Sequence, residues 1–153
     1  MFGIFSKKAK QRKQLNKSHI KSLWEVVMAD GKIHEDELKL MYSLGAELKM
    51  SKREVDKIKD EGDNISFMVP ETDEQRFELI YNFTCMMMAD DDIDYREMEV
   101  CKNYAAELGF KKSIVDELVK SISSNVSVGN SKKETYERLT YLISKNRVGS
   151  SRS

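Results

Sequence analysis

The chain has 153 residues, with 40% hydrophobic and 34% charged side chains, which suits one helical domain with solvated outer faces. Lys+Arg and Asp+Glu are both 26, so net charge gives no reason to expect a nucleic-acid or polyanion-binding protein. No segment approaches the roughly 20 apolar residues that span a bilayer, and two cysteines, Cys85 and Cys101, within helical patterns exclude a disulfide framework and point to a reducing, cytoplasmic location.

Residues 1–12 join the apolar tip Phe2, Ile4 and Phe5 to a basic run. Between Met1 and Ser22 stand Lys7, Lys8, Lys10, Arg12, Lys13, Lys17 and Lys21 and no acidic residue. The segment reads as a frayed helix start or as a contact with an anionic membrane through residues 1–21. Without interleaved aromatics it is a poor nucleic-acid site. From about Lys13 to Ala29, Leu15, His19, Ile20, Leu23, Trp24, Val27 and Met28 recur at three-and-four spacing, which predicts a central helix ending at Asp30-Gly31.

A second helix is expected from His34 or Glu35, with Leu38, Met41, Tyr42, Gly45 and Leu48 inward. Ser51-Lys52-Arg53-Glu54 is a capping box for a third helix to about Asp60. Glu61 to Pro70 is a linker. Thr72-Asp73-Glu74-Gln75 opens the next helix, to Ala89, and further helices are predicted over about 95–108 and 112–123. A loop is expected over 125–130, a last helix over about 131–146, and a disordered tail over 147–153. The domain is therefore 13–146, with one repeat over about 13–60 and another over about 72–123.

The repeats are visible in the residues. Met28-Ala29-Asp30-Gly31-Lys32-Ile33-His34-Glu35-Asp36-Glu37 returns sixty positions later as Met88-Ala89-Asp90-Asp91-Asp92-Ile93-Asp94-Tyr95-Arg96-Glu97. Eleven identities among the thirty-one positions from Met28 to Ile58, with no gap, argue for an internal duplication. Each copy looks like the second half of an EF-hand calcium loop, with Asp, Gly in the first copy, a central Ile and a final Glu. The first half of that loop is absent, because Val26 and Met28, or Met86 and Met88, stand where carboxylates belong. Neither copy can wrap calcium alone.

Two readings of the turns follow. In one, the two copies pack about a pseudo-twofold axis, and Asp30, Glu37, Asp90, Asp92, Asp94 and Glu97 supply oxygen ligands to a divalent cation, Ca²⁺ or Mg²⁺. In the other, Asp94-Tyr95-Arg96-Glu97 and His34 with Glu37 merely cap helices, acidic residues being favoured at helix N-termini, while Ile33 and Ile93 pack as plugs beside the turns. Met86, Met87 and Met88 are expected to fill core gaps, and Cys85 and Cys101 to act as small buried hydrophobes. No nucleophile with a base, phosphate loop or nucleophile elbow is present, so no catalysis and no small-molecule substrate are expected.

The pattern Ala-Asp-Gly-x-Ile-x-x-x-Glu, duplicated sixty residues apart, resembles the TerB family of tellurite-resistance proteins and the TerB-like domain of the DjlA co-chaperone, over roughly residues 13 to 145. The resemblance implies an all-α fold of about seven helices in two pseudo-symmetric repeats packed as one bundle. It also implies a non-catalytic role in stress resistance, divalent-metal binding through Asp30, Glu37, Asp90 and Glu97, and protein partners at the inner membrane face. Asp91 departs from the pattern, standing where the family has glycine. The competing expectation is a helical interaction or scaffold module whose turns bind no metal.

Overall fold

The structure is a computed structural model that describes residues 2–89 and 93–145, with side chains from Ser6 onward. Seven α-helices and no strand occur among the described residues: α1 (Phe2–Met28), α2 (Glu35–Glu47), α3 (Lys52–Asp60), α4 (Asp73–Met88), α5 (Tyr95–Glu107), α6 (Val115–Ser127) and α7 (Lys132–Lys145). Short 3-10 turns lie at Gly62–Asn64 within the linker and at Lys112–Ile114 just before α6. The chain is all-α, as the periodicity implies.

α1 and α4 form the centre. α1 packs on α2, α3, α4 and α5, and α4 packs on α1, α2, α5, α6 and α7. In α1 this enclosure buries Ile20, Leu23, Trp24, Val26 and Val27, and α4 contributes Phe77, Ile80, Phe83, Met86 and Met87 to the same core. Each fully buried side chain of this size is worth about 1.5–3 kcal/mol. Polar bonds fix the crossings: Trp24 Nε1 donates to Val55 O (2.9 Å), Met68 N donates to Ser18 Oγ (2.7 Å), and the Tyr104 hydroxyl donates to Glu25.

α1 begins about eleven residues earlier than the apolar periodicity predicts. Residues 6–14 are all exposed, so no buried stripe announces them. Lys, Arg, Gln and Ala, with no proline, sustain a helix by propensity alone. α6 likewise continues to Ser127, into the expected loop. Asn125 Nδ2 donates to Ser121 O (2.8 Å), and the helix stops only where Gly129 takes φ +86 and Asn130 N donates to Asn125 O (3.0 Å). The expected disordered tail, residues 147–153, lies outside the described residues.

The capping boxes form as read. Ser51 Oγ accepts from Glu54 N (3.2 Å), Thr72 Oγ1 from Gln75 N (3.1 Å) and Ser131 Oγ from Glu134 N (3.1 Å). Local backbone geometry also recurs at the sixty-residue offset. α2 and α5 each have thirteen residues, behind N-caps His34 (φ −87, ψ 149) and Asp94 (φ −76, ψ 139). Beyond their C-termini Lys49 (φ 62) and Gly109 (φ 93) turn left-handed, and Met50 N bonds Gly45 O (2.8 Å) where Phe110 N bonds Ala105 O (2.9 Å). The correspondence loosens afterwards, since α3 has nine residues and α6 thirteen.

Candidate functional site

Asp30 sits in the turn that leaves α1. Its Oδ1 accepts from Lys32 N (2.9 Å), and its Oδ2 lies 3.4 Å from His34 Nε2. The side chain is only 10% exposed. Gly31 makes the reversal at φ +81. A Cβ there would meet nothing within 4 Å, so glycine is needed for the backbone angle and not for space.

Glu37 and Glu97 occupy the third positions of α2 and α5. Glu37 Oε1 accepts from His34 N (3.0 Å) and Glu97 Oε1 from Asp94 N (3.1 Å), so each closes the backbone of its own helix N-terminus. Both residues are 0% exposed. The two carboxyls also face each other across the bundle: Glu97 is pushed up to about 8, first by burial and then by Glu37 and the charge of Asp30, against the downward pull of its bond from Asp94 N. Burial and the neighbouring acids thus favour the protonated form of Glu97. Its Oε2 is buried with no hydrogen-bond partner among the described residues.

Asp94 has a different fate. Arg96 holds it three ways, with N donating to Oδ1 (2.7 Å), Nε to Oδ1 (3.0 Å) and Nη2 to Oδ2 (2.9 Å). These bonds lower the Asp94 carboxyl to about 2. The Arg96 guanidinium also feels the charge of Asp30, so a cation from the second turn lies near an acid of the first. Sequence reasoning treated Arg96 only as an interior residue of a cap. Its position two residues after a capping aspartate was the available signal.

Of the six predicted ligands, then, Glu37 and Glu97 face each other and Glu97 also feels the charge of Asp30, Asp94 is engaged by Arg96, and Asp90 and Asp92 lie outside the described residues. Among the described residues no three His, Cys, Asp or Glu side chains are grouped so as to hold a metal ion. Ile33 and Ile93 are each 38% exposed, so neither is the buried plug expected beside its turn. Met86 and Met87 are core residues as read. Cys101 is buried, and burial pushes its thiol up to about 12, while Cys85 is also raised by burial; neither is poised as a nucleophile.

Compared with protein families, residues 3–60 match the model of Tellurite resistance protein TerB. Over these residues the chain is similar to the TerB family. The TerB match covers α1, α2 and α3, includes the first acidic turn with Asp30 and Glu37, and ends where α3 ends. It is shorter than the span of about 13 to 145 over which the resemblance was read, and the second turn, with Asp91 at the glycine position, falls beyond it. Searches of curated proteins and of solved structures returned no significant match. No helix among the described residues is long and apolar enough to cross a membrane.

Proposed function

We propose that this chain is a TerB-family protein and a non-catalytic, divalent-cation-responsive component of a tellurite-resistance-type stress system, working with protein partners. One observation carries the reading: two glutamates from separate acidic turns, Glu37 and Glu97, are wholly buried side by side with Asp30 close by. Burying two carboxyls together is costly unless a proton or a cation offsets their repulsion. An all-oxygen donor set suits a hard ion such as Ca²⁺ or Mg²⁺. Glu37 and Glu97 would hold the ion, with Asp30 beside them and Asp90 and Asp92 the remaining carboxylates of the same two turns. The ion would supply charge compensation that ties the turns together, not chemistry on a substrate.

The second reading, a helical scaffold whose turns only cap helices, has its own support in the threefold engagement of Asp94 by Arg96 and in the lack of a three-ligand group among the described residues. Melting distinguishes the two. With about 1 mM Ca²⁺ or Mg²⁺ against chelator, Tm rises for the native chain, and the Glu37→Gln/Glu97→Gln double variant, isosteric and still able to accept the two cap bonds, loses that rise. A native Tm indifferent to both ions, or a double variant that responds as the native chain does, leaves the scaffold reading in place.

A further inference from the structure

The amino-terminal part of α1 plays no role in the acidic turns or in the core. Residues 6–14 are exposed without exception, and the buried face of α1 starts only at Ser18. At 1.5 Å per residue, residues 2–14 make a helical arm of about 20 Å. Lys7, Lys8, Lys10, Arg12, Lys13 and Lys17 make no ion pair with any described residue, and the first acid in the helix is Glu25, which Lys21 already holds at 3.4 Å.

The arm is electrostatically opposed to itself. Helix neighbours three and four apart lie side by side. Here Lys7 meets Lys10, Lys10 meets Lys13, Lys8 meets Arg12, and Lys13 meets Lys17, every pair of like charge. The first turn of α1 carries no acidic residue to offset this charge. A bare helix gains nothing from such an arrangement. An anionic surface alongside would convert each repulsion into attraction.

We infer that residues 2–17 of α1 are a docking arm for an anionic lipid bilayer. Two features select lipid over nucleic acid. Five of the six unpaired cations are lysines, point charges suited to a diffuse anionic surface, where nucleic-acid recognition favours the planar fork of arginine. The sequence immediately before the basic run, Phe2-Gly3-Ile4-Phe5, offers apolar residues and no further charge, a composition that complements acyl chains and not a phosphate backbone.

The test uses the full chain and vesicles of phosphatidylcholine with about 30% phosphatidylserine, compared with phosphatidylcholine alone. Sedimentation at about 0.1 M salt carries the protein down with the anionic vesicles only, and raising salt to about 0.5 M releases it. Replacing Lys7, Lys8, Lys10, Arg12 and Lys13 with glutamine weakens binding about fivefold per residue. These side chains are exposed, so melting and far-ultraviolet dichroism stay at native values, and the salt titration of the native chain decides the matter even if they do not. Absence of binding to anionic vesicles at low salt, salt-independent binding, or equal binding by a folded five-glutamine variant overturns the assignment. Tighter binding to duplex DNA than to the vesicles at the same salt also overturns it, in favour of nucleic acid.

Discussion

His19 ties stability to acid in a way that can be measured. The imidazole is 7% exposed between α1 and α4, where Asn82 Nδ2 donates to its Nε2 at 3.1 Å and so holds that nitrogen unprotonated. Burial, helped by the positive charge of Lys132, lowers its pKa from the ordinary 6.5 to about 4. A depressed pKa gives stability that is fully present above about pH 6.5 and is lost as pH falls toward 4, because the unfolded chain takes up the proton first. A shift of that size corresponds to about 3 kcal/mol in total, of which about 2 kcal/mol is lost between pH 7 and pH 5. Urea unfolding of the native chain and of His19→Gln at both pH values isolates this contribution, since other titrating groups are common to the two proteins. The native chain should lose about 2 kcal/mol relative to the variant on going to pH 5. A gap constant within about 0.5 kcal/mol, a fraction of the predicted change, or an imidazole titrating near 6.5 by NMR, would refute the reasoning.

Glu97 acts in the opposite sense. Its folded pKa is raised, so the native chain is favoured at low pH and loses stability as pH rises through about 8; Glu97→Gln should therefore raise Tm at pH 9 and confer no advantage at pH 4. If a cation takes the place of the Glu97 proton, apparent Ca²⁺ affinity by calorimetry rises about tenfold per pH unit below pH 8, with a proton released to the buffer; a pH-independent affinity contradicts the displacement. Two exchanges move first-copy positions to their second-copy residues with opposite results in urea unfolding. Gly45→Ala costs about 1–3 kcal/mol, because its Cβ would stand 2.4 Å from Val55 Cγ2. Lys49→Gly gains up to about 1 kcal/mol by relieving a left-handed non-glycine residue.

The elements with a chemical signature in a few adjacent residues were the most legible. Ser51, Thr72, Asp94 and Ser131 announce helix starts because the cap is made within four residues, and the α2 and α5 boundaries followed to within a residue or two. The exposed arm of α1 was not legible as helix, since periodicity records burial and nothing there is buried. The end of α6 was hidden for a related reason: Asn125 looks like a loop residue until its amide is seen bonding back to Ser121. At the turns, sequence supplied Asp30, Glu37 and Glu97 as equivalent acids. It could not say that both glutamates would be fully enclosed, because that depends on how the two halves of the sequence come together in the bundle.

The crossing of α1 and α4 bears on where this protein can be divided. The TerB match stops at Asp60, at the end of α3. Yet α1 lies against α4 and α5 as well as α2 and α3, with His19 held by Asn82 and Glu25 bonded to Tyr104. A fragment cut at the family boundary would leave the far side of α1, including these two polar anchors, bare to water. The matched segment is thus not a separately packed unit, since α1 also lies against α4 and α5. Helices before and after the family boundary share one spine, α1 against α4, so a cut there would divide a single core.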